Sequence, residues 1–146
     1  MTFELHPRLA SDTYYLGDFP LCALLLSKDA NYPWYILVPK QPNITEAFQL
    51  NTIDQLQLQH ESLHLSQVLS NEFNADKMNI AALGNVVPQL HLHHIVRYKT
   101  DPTWPQPIWG NAAALPYNDI ALRERIDKTS LVLANSDFKV CKNSYE

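Results

Sequence analysis

Apolar residues fall in short blocks set off by proline, asparagine and aspartate. Cys22–Ser27 (CALLLS) is a continuous apolar run of strand length, which suits a strand covered on both faces. Lys28-Asp29-Ala30-Asn31 supplies turn formers, and Trp34–Val38 is aromatic and β-branched between Pro33 and Pro39. The two runs predict a hairpin. Thr52–Ser70 contains neither Gly nor Pro, and Thr52 to Gln55 has capping-box form, so this stretch predicts a helix. Leu58, Leu65 and Leu69 share one side of it, while Ile53, Leu56 and Leu63 share another, which predicts burial on more than one side. Met78–Leu83 and Leu90–Val96 read as strands, with Gly84-Asn85 between them as a turn or bulge. Residues 101–117, rich in Pro and Trp, read as ordered loop. Asn118–Leu133 predicts a second helix with Glu124 and Lys128 paired at i,i+4, and 134–146 a polar, partly ordered tail.

Hairpin strands mixed with two helices indicate an α+β class rather than a parallel α/β fold. The length, 146 residues, suits one domain, with a core over about 20–100 and a C-terminal loop, helix and tail over 101–146. Hydrophobic residues make up 46% and charged residues 18%, a globular balance. The net charge of −4 argues against partners such as polymeric nucleic acid or an anionic membrane surface. Cys22 and Cys141 lie far apart and outside any CxxC spacing, which reads as two reduced thiols. The first residues show no basic and apolar leader, and no apolar run is long enough to span a bilayer, so the expected location is cytoplasmic.

The chemistry concentrates in Gln89-Leu90-His91-Leu92-His93-His94-Ile95-Val96-Arg97. Strand alternation puts Gln89, His91, His93 and Ile95 on one face and Leu90, Leu92 and His94 on the other. The leucines belong against a core, which leaves Gln89, His91 and His93 as an accessible polar row. A phosphate ester needs a nucleophile, charge neutralisation and a proton for its leaving group. Imidazole, with an ordinary pKa of about 6.5, can serve each need. Two rings on one rigid strand could divide the work, one attacking while neutral and one donating as imidazolium.

This stretch resembles the His-φ-His-φ-His-φ-φ pattern of the histidine-triad (HIT) family, with His91 and His93 at the second and third positions and Arg97 at the trailing arginine. Gly84-Asn85-Val86-Val87 resembles the Gly-Gln-x-Val before the triad. Tyr32 to Pro39 resembles the family's Pro-Gly-His-φ-φ-φ-x-Pro strand. The resemblance covers roughly residues 20–100. It implies a five-stranded antiparallel sheet with two main helices, a homodimer, and no cofactor. It also implies hydrolysis of a nucleoside phosphoramidate, a 5′-monophosphate ester or a dinucleoside polyphosphate, with a purine nucleotide or dinucleotide as partner. His91 would be the nucleophile and His93 would contact the phosphate or protonate the leaving group. Asn85 would hold a phosphate oxygen, and Ser27 lies near a ribose-contacting position. The chain departs from the pattern in four places: Gln89 replaces the first histidine, Tyr32-Pro33-Trp34 replaces Pro-Gly-His, Val96 replaces a proline and His94 an apolar residue. A Gln keeps the backbone carbonyl that orients the nucleophile, and its side chain is a candidate phosphate ligand.

Two rivals stand beside this reading. One is a nucleotide-binding protein with little turnover. The other is a metal-dependent hydrolase using His91 and His93, or His60 and His64 of a literal HExxH, His60-Glu61-Ser62-Leu63-His64. That five-residue match lacks its extended context and reads first as a polar patch on a helix surface, and His6 as a surface residue. Trp104 and Trp109 follow the triad closely, as core or dimer contacts or as a wall for a nucleobase.

Overall fold

In a computed structural model, which describes residues 1–141, the chain builds one six-stranded antiparallel sheet. In chain order the elements are α1 (Pro7–Asp12), β1 (Thr13–Asp18), β2 (Cys22–Ser27), β3 (Trp34–Pro39), α2 (Thr52–Glu72), β4 (Lys77–Ala81), β5 (Leu92–Arg97), α3 (Asp119–Val132) and β6 (Lys139–Val140). The strands lie in the order β4-β5-β3-β2-β1-β6. The expected hairpin forms with Leu24 opposite Leu37, and β5 adds to β3 with His93 opposite Ile36.

Alternation sorts the two faces. Leu24 and Leu26 of β2, Tyr35 and Leu37 of β3 and Val96 of β5 pack with Leu58, Leu65 and Leu69 of α2 and with Ile126 and Leu133 at α3. Tyr35 reinforces this layer, its hydroxyl 2.6 Å from Thr129 Oγ1. Ala23, Leu25, Ile36 and Val38 point the other way, against Leu9 of α1 and Val87. Two helices therefore cover one face, and the N-terminal segment covers part of the other.

The sheet has six strands rather than five. β1 escapes a period-two reading because its register shifts between Tyr15 and Gly17, a bulge that breaks the alternation. α1 is too short to show a helical period, and β6 has only two residues. Gly17 admits β6: a Cβ there would lie 2.2 Å from the Lys139 carbonyl oxygen. The expected polar tail is thus anchored through Val140, while its last residues, 142–146, lie outside the described region.

Helix ends also shift. The N-cap of α2 is Asn51, whose side chain accepts from the Asp54 amide at 2.8 Å, so the cap stands one residue before Thr52. Asn118 caps α3 in the same way. Lys128 does not pair with Glu124 there; it reaches Glu72 at 3.5 Å, at the end of α2. The second apolar side of α2 is open, with Ile53, Leu56 and Leu63 all exposed. Among the described residues, no helix is long and apolar enough to cross a membrane.

His94 faces the helical layer and is fully buried. A carbonyl only accepts, so His94 Nδ1–H donates to the Leu92 oxygen at 3.0 Å, and Nε2 accepts from the Ser62 hydroxyl at 2.7 Å. Burial lowers its pKa to about 4, the Leu92 carbonyl only partly opposing this. The unfolded chain then binds the extra proton first, so stability is lost as pH falls from about 6.5 towards 4, by on the order of 3 kcal/mol for this one group. Urea titrations at pH 7 and pH 4.5 check this: His94→Gln should be less stable at pH 7 but lose less on acidification than the wild type. Equal losses would contradict it.

Candidate active site

On the opposite face, β5 presents a cavity of about 460 Å³. His91 and His93 line it together with Ser27 at the end of β2, Trp34 and Ile36 of β3, Gly84 to Val87, Trp109, and Arg8, Leu9 and Asp12 of α1. The volume falls in the range of small-molecule sites. Gly84 has φ +72°, a left-handed conformation that glycine tolerates, and this turn brings Asn85 to the rim.

Strand β5 begins at Leu92, two residues later than the sequence reading has it, so His91 precedes the ladder. Its position is still fixed, because the Leu90 amide bonds the Ile44 carbonyl at 2.9 Å. The two imidazoles share one side, their ring centroids 4.9 Å apart. His91 Nδ1 lies 2.6 Å from the backbone oxygen of Gln89. The carbonyl can only accept, so the proton sits on Nδ1 and Nε2 keeps its lone pair.

His93 is held differently. The Trp34 indole N–H, a donor only, reaches His93 Nδ1 at 2.9 Å. In the neutral ring the proton therefore sits on Nε2. Burial first, then the charges of His91 and His94, lower the His93 pKa to about 3. His93 is thus a neutral donor at physiological pH and not the imidazolium that sequence reasoning assigns to one of the pair.

The side chain of Gln89 turns away from this cavity. Its oxygen accepts from the His6 amide at 2.9 Å and its nitrogen donates to the Glu4 carbonyl at 2.8 Å. It lines a separate open hollow of about 640 Å³ beside the N-terminal segment. Gln89 therefore serves the site through its backbone carbonyl and by fastening the segment that leads into α1. Ser27 Oγ accepts from the Asp29 amide at 3.2 Å and stands at the cavity wall.

A model of the HIT domain matches residues 8–100. The chain belongs to the HIT domain family. A histidine triad protein from Marinobacter aquaeolei VT8 is 47% identical, with a TM-score of 0.89 over 92% of this chain and 98% of its own. One from Bradyrhizobium japonicum is 43% identical, TM-score 0.86, over 88% and 96%. One from Sinorhizobium meliloti 1021 is 38% identical, TM-score 0.86, over 92% and 97%. No curated protein matches the chain.

The other candidates of this HIT domain separate cleanly. Glu61 of the HExxH stretch is not part of a surface patch. It is 2% exposed, and its carboxylate accepts from the Leu21 and Cys22 amides at 2.9 and 2.8 Å and from Gln57 at 2.6 Å. It ties α2 to the start of β2 and is fully occupied. Among the described residues, no group of three or more His, Cys, Asp or Glu is placed to hold a metal ion. His6 is half-buried rather than on the surface, and its ring caps α1 by accepting from the Arg8 amide at 3.1 Å. Of the loop tryptophans, Trp109 meets His93 edge-on at 5.0 Å, whereas Trp104 lies over the Arg97 guanidinium at 5.6 Å. Sequence reasoning missed Arg8, Leu9 and Asp12, because α1 gives no periodic signal, and it gave Trp34 no part at His93.

Proposed function

We propose that this HIT protein hydrolyses a nucleoside phosphoramidate, a 5′-monophosphate ester or a dinucleoside polyphosphate through a nucleotidyl-histidine intermediate on His91. The observation that carries this reading is the 2.6 Å bond from His91 to the Gln89 carbonyl, which leaves Nε2 as a free lone pair beside a second histidine in one cavity. In the first step His91 Nε2 forms a bond to phosphorus, and the bond to the leaving group breaks with its electron pair, a phosphate or nucleotide oxygen departing as the anion and an amine or alkoxide taking a proton from solvent. In the second, water attacks phosphorus, the P–N bond breaks, its electrons return to Nε2, and the water proton passes to solvent. His93 offers its Nε2–H to a phosphoryl oxygen. The Asn85 amide and the Ser27 hydroxyl are the proposed phosphate and ribose ligands, and a purine nucleotide or dinucleotide is the proposed partner. The proposed reaction calls for no cofactor, and the cytoplasm is the proposed location.

A homodimer is part of the same reading. β4 forms an edge of the sheet with Ile80 exposed, and Ile53, Leu56 and Leu63 leave an apolar stripe on α2. Both are surfaces that association would cover.

The test is release of AMP from an adenosine phosphoramidate and from a diadenosine polyphosphate, with and without excess chelator. Turnover unchanged by chelator is the expected result. AMP binding with no turnover would reduce the protein to a nucleotide binder, and loss with chelator would point to a metal-dependent hydrolase.

A further inference from the structure

We propose that Trp34 is a positioning residue that holds His93 as a neutral Nε2–H donor, and that the site in consequence cleaves phosphoanhydrides in preference to phosphoramidates. The second clause rests on the proposed hydrolase reading; the first does not. Trp34 sits at the start of β3, where β3 pairs with β5 and sets Ile36 opposite His93. Its ring is wedged against both His93, at 5.6 Å, and Trp109, at 6.2 Å and 88°. The indole has one N–H and no lone pair to offer, so it can bond only the unprotonated Nδ1. A proton added to that nitrogen would face the indole N–H head-on. Of the titratable groups around His93, His91 and His94 on its own strand segment oppose its charging, and Arg8 and Asp12 of α1 line the same cavity.

The consequence concerns the leaving group. When His91 Nε2 bonds to phosphorus, the departing atom takes the electron pair of the broken bond. A phosphate or nucleotide oxygen carries that pair as a stable anion and needs no proton. An amine nitrogen does not, and must be protonated as it leaves. A neutral imidazole that gave up its Nε2–H would become imidazolate, so His93 cannot act as that acid. It can still hold a phosphoryl oxygen by hydrogen bond throughout the displacement.

Long-range proton–nitrogen NMR on histidine-labelled protein reads the tautomer without any substrate. The expected wild-type spectrum shows His93 with Nε2 protonated and Nδ1 bare from pH 8 down to pH 5. Trp34→Phe keeps a ring in place and removes the donor, so His93 should become a tautomer mixture and titrate at higher pH. A wild-type His93 protonated on Nδ1 at pH 7 would overturn the positioning role, as would a Trp34→Phe spectrum identical to the wild type. In kinetics, the diadenosine polyphosphate should exceed an alkyl phosphoramidate in kcat/KM by about 100-fold or more, the size of a missing general-acid contribution. Trp34→Phe should narrow that ratio. A preference for the phosphoramidate would overturn the leaving-group inference. Turnover of neither would count against the hydrolase reading, while the spectra would still decide the part played by Trp34.

Discussion

His91→Ala is expected to lower kcat/KM for AMP release by at least about 1000-fold, within the range seen when a covalent nucleophile is removed. On the proposed reaction no neighbour can substitute. His93 commits Nδ1 to Trp34 and carries its proton on Nε2, so it has no lone pair to aim at phosphorus. His94 lies on the opposite face against Ser62. The change should leave the fold nearly intact, because His91 precedes β5 and gives up one hydrogen bond, worth about 1 kcal/mol. Steady-state assays beside urea titrations check both halves. Retained turnover with a stable fold would remove His91 from the chemistry.

The largest effect on stability is expected at Arg97, the trailing arginine of the triad stretch. It is 1% exposed, and its guanidinium bonds Asp101 twice, at 2.7 and 3.0 Å, and Asn79 at 2.8 Å. Its Nη2 also meets Thr103 at 3.2 Å, and Tyr32 and Trp104 cover its planar faces. Burial alone would raise the Asp101 pKa, but Arg97 and the Tyr98 and Thr103 amides outweigh it and hold the carboxyl below its ordinary range. Arg97→Met removes the one cation that, among the described residues, is bonded to the buried Asp101 carboxylate, and should cost about 3–5 kcal/mol, roughly 10 °C in Tm for a chain of this size. Arg97→Met with Asp101→Asn should recover part of the loss. A loss below about 1 kcal/mol in the single variant would show that the pair does not hold the 98–109 loop on the sheet.

What the sequence disclosed follows from local rules. The hairpin, α2, α3 and the shared face of His91 and His93 come from periods of two and 3.6 with proline and asparagine stops, and these act within a few residues. What it concealed depends on contacts across the chain. The partners of the Gln89 side chain, Glu4 and His6, lie more than 80 residues away, and nothing local marks them. The donor to His93 lies 59 residues away and emerges only once β3 and β5 are in register. The exposed stripe of α2 looked like core because leucine and isoleucine carry no label for which of two apolar sides meets the sheet. Glu61 looked like surface because a carboxylate is seldom buried unless it is paired; here two backbone amides and Gln57 make burial possible.

The central claim is covalent attack by one named ring nitrogen. Mass spectrometry of the intact protein after a brief pulse of substrate, followed by peptide mapping, tests it most directly. A nucleotide monophosphate adduct on the peptide containing His91, absent in His91→Ala, is the predicted result. Turnover without any adduct under quench conditions that preserve phosphohistidine, or an adduct on another residue, would contradict it.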